Sequence, residues 1–405
     1  MRNLSWLRYA MASLIVGGVG AAGLVACGDD DTGTVPKADS GTPDSTTPDT
    51  GTPDTGGNTD GGDAGPKPAI AKLTLVNAST SLGAAGDLPN GSNGIRICFA
   101  RGTDNTVKDG VAPYPPLPIK TPGTPFPMIP NGTGGSFPSL GVDLEPLFIQ
   151  PYVMNARTLF GKGVPLSGVG SSCDEILKPG YMTDAGAPIT ENVDYWKLPE
   201  IIPGGTFKAE KSYMLVLTGC VADVADNAKC GDGHPGNASP PGPGNLKVTI
   251  FELDRSTAVP ATSMGAQFVH ASPSFDKVNP GAGIQPVVPA LLDPADAGAA
   301  VLLNGMNPVA YLKGTALVQA GGPVRPLIIS NPTADPQEFA FPLSAAAQLS
   351  GVAGGYVQGK AYTFVLVGDK DVPLLLPDGG INSTNGYHFL GFQNDPPVVP
   401  FDPNP

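Results

Sequence analysis

The chain has 405 residues, of which 55 are Gly and 46 Pro, with 40% apolar and 15% charged residues and a formal net charge of −13. Gly has no every-third-residue period, which excludes collagen. No long Ala/Glu/Lys/Leu-rich periodic block argues for a bundle or coiled coil, and 23 basic against 36 acidic residues argue against a nucleic-acid binder. Gly plus Pro is high enough to suggest disorder, yet the apolar content is that of a chain with a core.

Arg2 and Arg8 give a positive start, and Tyr9 to Ala26 is an uncharged run rich in Ala, Gly, Leu and Val. Residues 1–26 read as a secretory signal. Its 18-residue apolar run is short for a membrane span and is weakened by four Gly. Leu24-Val25-Ala26-Cys27 resembles the bacterial lipobox, whose Cys becomes the acylated first residue of the mature protein. The resemblance implies a thioether-linked diacylglycerol at Cys27. Several acyl chains hold far better than one. Gly28 rather than Asp in the next position, by resemblance to enterobacterial sorting, implies the outer membrane.

Residues 27–68 are an acidic tether. Gly, Pro, Ser, Thr and Asp dominate, Thr-Pro-Asp recurs at Thr42, Thr47 and Thr52, and Val35 is the one large aliphatic residue. Such a segment cannot bury enough apolar surface to offset its ordering entropy. A flexible coil of this length reaches roughly 35 Å and an extended polyproline chain on the order of 130 Å. Glycosylation is an alternative reading of its Ser/Thr/Pro content. From Ala69 onward Gly and Pro remain enriched, at 42 and 40 residues, so the enrichment belongs to the folded region as well.

Short β-rich runs follow, cut by Gly, Pro, Asn and Asp. They are Lys72–Asn77, Gly94–Ala100, Tyr213–Leu217, Leu246–Leu253, Ala266–His270, Ala299–Leu303, Val324–Ser330, Ala361–Val367 and Tyr387–Phe392. In Leu246–Leu253, Leu246, Val248 and Ile250 share one face. Ser172 to Glu175 fits a capping box that stops at Pro179-Gly180, and Ser344–Leu349 has room for one or two helical turns. Two landmarks recur in order. Leu73–Thr80 aligns with Ala266–Pro273, and Lys211–Gly219 with Lys360–Gly368. Ala78 to Tyr213 spans 135 residues, and Ala271 to Tyr362 spans 91, so the first copy carries some 44 more. Part of the excess falls in the Pro-rich stretch Pro113–Pro130. The expected fold is all-β, with two tandem Ig-like β-sandwich domains at 69–257 and 262–405, linked near Arg255–Met264.

Phe268-Val-His-Ala-Ser-Pro273, followed by Gly359-Lys-Ala-Tyr-Thr-Phe-Val-Leu-Val367, resembles DUF4397 domains. The resemblance implies bacterial extracellular Ig-like modules, often in tandem and often on lipoproteins, and the whole plan is similar to a myxobacterial surface lipoprotein. In the first copy Asn77 replaces the His and Thr80 the Pro. The family supplies no catalytic residues.

Four cysteines remain besides Cys27, an even number in an exported chain. Cys220–Cys230 is the preferred pair because nine residues separate them after a strand, which leaves Cys98–Cys173 to pin the insertion. The rival is Cys98–Cys220 with Cys173–Cys230. No metal site or cofactor is expected. Cys220, Cys230 and His234 make only three zinc ligands and no Cys-x-x-Cys occurs. His270 reads as a strand-end hydrogen-bonding residue, and His388 as a strand residue. Gly354–Lys360 imitates a phosphate loop, but Ala361 stands where Ser or Thr belongs and a strand follows. Asp369 with Asp371 and Asp143 with Glu145 read as solvated turns, since no further carboxylate joins either pair. Tyr114, Tyr195 and Trp196 are candidate ligand-binding aromatics, set against the reading that they pack the insertion on the sandwich. The resulting expectation is a non-catalytic, lipid-anchored protein of the outer membrane with a structural or adhesion role. Its partners are the membrane, through the anchor, and an envelope protein or glycan, with no nucleic acid. The alternatives are a carbohydrate- or peptide-binding module using the first-domain insertion, and an exported hydrolase.

Overall fold

The β-branched and aromatic runs fold as strands between Gly, Pro and Asn breaks. The structure, a computed structural model, describes residues 71–82, 94–102, 129, 132–138, 143–165, 170–222, 230–231, 233–235, 242–273, 287–292, 300–320, 325–330, 337–340, 357–368, 374–375, 381–382 and 387–395. The signal, the tether, Cys27, Tyr114, Ser344–Leu349 and the Asp369/Asp371 pair lie outside them. Residues 64–405 form one compact unit.

In chain order the first half holds β1 (Lys72–Asn77), β2 (Ile95–Gly102), β3 (Thr133–Pro138), β4 (Phe148–Asn155), α1 (Ala156–Gly161), α2 (Cys173–Ile176), β5 (Tyr195–Lys197), β6 (Ser212–Thr218) and β7 (Lys247–Leu253). The second half holds β8 (Met264–His270), β9 (Val287–Leu292), β10 (Ala300–Met306), β11 (Val318–Ala320), β12 (Arg325–Ser330), β13 (Gln337–Ala340), β14 (Ala361–Gly368), β15 (Leu374–Leu375), β16 (Ile381–Asn382) and β17 (Tyr387–Gln393). The chain is all-β, with two short helices and one 3₁₀ turn among the described residues.

Two sheets have the same plan, β3-β1-β6-β7 and β11-β8-β14-β17. In each, the first strand of the half runs parallel to the strand carrying the second landmark. Leu73 faces Tyr213 in one, and Ala266 faces Tyr362 in the other. These are the residue pairs that the internal alignment equates, so the duplication extends to strand register. A second sheet accompanies each: β2-β4-β5 in the first half and β10-β9-β12-β13 in the second.

The recurring motif residues have matching jobs in both copies. Ala78 N–H donates to Leu217 O at 2.8 Å, and Ala271 N–H to Leu366 O at 2.9 Å. Ser79 Oγ donates to Gly219 O at 2.8 Å, and Ser272 Oγ to Gly368 O at 2.7 Å. Both glycines are left-handed, at φ 87° and 95°. At Gly219 a Cβ would lie 2.3 Å from Asn245 O, so glycine ends that strand for a steric as well as a conformational reason. The Tyr213 hydroxyl accepts from Lys208 N–H at 2.8 Å, and the Tyr362 hydroxyl from Val357 N–H at 2.9 Å. A strand tyrosine bonded back to the preceding turn is the tyrosine-corner device of Ig-like sandwiches. Burial pushes both phenols above their ordinary pKa. Tyr213→Phe strands the Lys208 N–H and is expected to cost about 1–2 kcal/mol. An unchanged denaturant midpoint would reduce this contact to a coincidence.

The sheets differ from simple half-buried ones. Leu73, Leu75, Tyr213, Leu215 and Leu217 pack against Ile95, Ile97, Ile149, Val153 and Trp196 of β2-β4-β5, forming the first sandwich core. The opposite face of the same sheet, with Val76, Ala78, Met214, Val216 and Leu253, packs on Val269, Ala271, Val365, Val367, Leu390 and Phe392 of the second half. The two repeats therefore share an interior. Polar groups seal its end. Gln267 Oε1 accepts from Asp254 N–H at 3.0 Å and Asn394 Nδ2 at 2.8 Å, and Arg255 reaches Ser212 Oγ at 3.1 Å and Lys211 O at 2.6 Å.

Candidate functional site

Both disulfides adopt the preferred pairing. Cys98–Cys173 closes a separation of 75 residues and Cys220–Cys230 one of 10. The first pins a small cover onto the outer face of β2-β4-β5. That cover has its own core of Cys98, Ala100, Tyr152, Met154, Leu159, Val164, Cys173 and Ile176. Its helices start on local caps. Asn155 Oδ1 accepts from Arg157 N–H at 3.1 Å, and Ser172 forms the expected capping box with Glu175. The Ser172 hydroxyl bond holds the Glu175 carboxyl below its usual pKa. Strand alternation puts Arg96 on the same face of β2 as Cys98 and Ala100. Arg96 is 1% exposed, and burial pushes its guanidinium down to about 10. It remains charged at neutral pH.

Of the aromatic candidates, the described pair Tyr195 and Trp196 does not form an exposed platform. Trp196 is 4% exposed and belongs to the sandwich core. Tyr195, on the other face of β5, packs on the cover core with its ring 6.2 Å from Tyr152. Trp196 thus joins insertion to sandwich, the packing role set against ligand binding above. His270 is fully buried, its ring 5.9 Å from Tyr311. Its counterpart Asn77 donates to Leu82 O and Ile129 O at 3.1 and 3.0 Å. The His234 ring lies 2.9 Å from Val221 O, and its cysteine neighbours are oxidised to each other. Asp143 Oδ1 accepts from Glu145 N–H at 3.0 Å, which makes Asp143 a turn-former. Gly359 turns the chain into β14 at φ 73°, as Glu210 does before β6 at φ 62°. The phosphate-loop imitation is therefore a strand entry at its described end. Among the described residues no cluster of three His, Cys, Asp or Glu is placed to hold a metal.

A cavity lies elsewhere among the described residues, in a place no sequence motif marked. A groove of about 400 Å³ runs between β7 and the segment after β5. Leu246, Lys247, Val248, Thr249 and Ile250 form one wall, and Leu198 to Pro203 the other, with Pro151 and Thr206 beside them. The second wall is stitched to β4. Ile149 and Ile202 exchange backbone bonds at 2.9 and 2.8 Å, and Leu198 N–H donates to Pro151 O at 3.0 Å. Pro151 has no N–H to return. The Gln150 side-chain amide donates to Leu198 O in its place. Pro199, Glu200 and Ile201 are left arching over the groove between these two anchor points.

The β7 wall is a sheet edge. Its one partner among the described residues is β6. Val248 and Ile250 are half-buried and pack on the first core from its open side. Lys247 and Glu200 are the two charged lining residues and have opposite sign. The site mixes aliphatic and polar lining, with Leu198, Ile201, Ile202, Val248 and Ile250 beside Thr206, Thr249 and the two charged residues.

No protein-family model matches the chain, and no curated protein matches it in sequence. Among solved structures, a candidate cell adhesion protein from Bacteroides eggerthii aligns at 8% identity and a TM-score of 0.19, over 82% of this chain and 98% of that one. A fimbrial assembly protein from Parabacteroides distasonis aligns at 11% identity and a TM-score of 0.16, over 77% and 97%. Scores this low lend no weight to either fold or function.

Proposed function

We propose that the chain is an exported, non-catalytic lipoprotein of the outer membrane that presents its β-sandwich repeats for a structural or adhesion role in the cell envelope. Two disulfides in the first repeat carry the reading, since such bonds form and persist in oxidising compartments outside the cytosol. They fit the signal segment and the Leu24–Cys27 lipobox resemblance. The shared interior suits a presenting role, because it fixes one repeat on the other. Kinship with DUF4397 domains is part of the same proposal. Its two matched stretches lie in β8 and β14, which are neighbours in one sheet.

The peptide-binding alternative gains from the groove beside β7, which is bounded by the end of the first-repeat insertion. Anchoring is tested by Cys27→Ser. The variant is expected to move from the membrane to the soluble fraction, and unchanged fractionation would defeat the lipid attachment.

A further inference from the structure

We propose that the edge of β7 turned away from β6, unpaired among the described residues, docks an extended, uncharged strand of a partner polypeptide, which joins the sheet β3-β1-β6-β7 and places alternate side chains in the adjoining groove. The inference rests on the presenting role above and specifies how a partner is held.

The backbone sets the chemical class. An edge strand offers a row of N–H and C=O groups with the spacing of a β-ladder. An extended peptide can satisfy that row along its length, as in strand-addition complexes. Helices and sugars lack the matching repeat. Natural edges are guarded by charges, prolines or bulges. In β7 the charges sit towards the ends, at Lys247 and Glu252. The middle, Val248-Thr249-Ile250-Phe251, has no charge and no Pro and pairs with β6 in unbroken register. Among the described residues, neither a charge nor a proline guards the middle of this edge.

The side chains narrow the class further. Val248 and Ile250 are two residues apart, so they point to the same face, where an added strand also sets every second residue. Ile201, Ile202 and Leu198 stand opposite. An incoming aliphatic side chain would extend the core that Val248 and Ile250 leave half open. Lys247 and Glu200 balance each other, which favours an uncharged occupant over an acidic or basic one. The cavity volume is within the usual range for ligand sites of roughly 300–1,000 Å³. The far wall is already tied to β4, so the groove is formed before anything binds.

The test uses the full-length protein in detergent and two synthetic peptides. One is an acetylated, amidated heptapeptide of alternating Thr and Val. The other has the same side chains but is N-methylated at alternate residues, which removes the donors along one edge. The first peptide is expected to bind saturably and to slow amide exchange in 247–253. The methylated peptide is expected to bind at least tenfold more weakly. Val248→Lys, checked for folding by circular dichroism, should also weaken the first peptide at least tenfold. Equal binding of both peptides would overturn the strand mode, and so would no saturation up to about 1 mM. Failure here with Cys27 anchoring intact would remove the docking site and leave the presenting role standing. Peptide binding by a protein that fractionates as soluble would do the reverse.

Discussion

Val365→Asp, placed in the second repeat, is expected to unfold the first repeat as well. Val365 is fully buried in the shared interior, on the face of β14 that meets Met214 and Val216. An aspartate there must bury a charge or fold protonated, at a cost of about 4 kcal/mol or more. That is a large share of the 5–15 kcal/mol that holds a typical domain together. Independent domains would confine the damage to residues 262–405. A shared core transmits it, because the lost contacts belong equally to Val76, Met214, Val216 and Leu253. The protein carries its own reporter. Of its two tryptophans, Trp6 lies in the signal segment, so a chain processed at Cys27 reports through Trp196 alone, inside the first sandwich. The milder Val365→Ala, worth roughly 2 kcal/mol, should lower the denaturant midpoint seen by Trp196 fluorescence. A Trp196 transition that does not move would show that the repeats fold separately. The second repeat expressed alone would expose Val269, Val365, Val367, Leu390 and Phe392 together and is expected to self-associate.

The strands themselves were legible wherever β-branched or aromatic residues ran together. All nine runs named from the sequence are strands, with ends shifted by at most three residues. Three of the strands not named from the sequence break a local rule. β4 contains Pro151, β9 contains Pro289, and β3 opens on Thr133-Gly-Gly135. Proline and glycine argue against a strand in isolation. Tertiary context overrules that in β4, where Gln150 supplies the donor that Pro151 lacks. The shared interior is also written in the sequence. Ser212-Tyr-Met-Leu-Val-Leu-Thr218 and Ala361-Tyr-Thr-Phe-Val-Leu-Val-Gly368 do not alternate, and every residue in both is buried. Continuous apolar runs mean burial on both faces, and a lone sandwich buries only one.

The cysteine pairing followed from spacing, whereas the groove left no mark in the sequence. It arises where two segments distant in the chain, 198–203 and 246–250, are brought edge to edge by different sheets. Val248 and Ile250 read equally well as ordinary core residues. Only the sheet order, which places β7 at an edge, distinguishes them. Trp196 is the opposite case. Its size invited a binding role, but its burial assigns it to packing.

Replacing Cys98 and Cys173 together by Ser should loosen the cover over β2-β4-β5 while leaving the sandwich beneath it folded. A loop of 75 residues costs about 4 kcal/mol to close without its crosslink, against about 3 for the ten-residue Cys220–Cys230 separation. Little else opposes the loss. The cover has a small core, and its helices are only six and four residues long, too short to persist without packing. Burial of Arg96 opposes folding as well. Its pKa is lower in the folded chain than in the unfolded one, so at any pH below about 10 the buried guanidinium destabilises the fold. Hydrogen exchange would follow the effect. Amides in 156–177 are expected to lose protection in the double variant, while those of β1 and β6 keep theirs. Retained protection in 156–177 would mean that the small core alone closes the cover, and the crosslink would then have no stabilising role there.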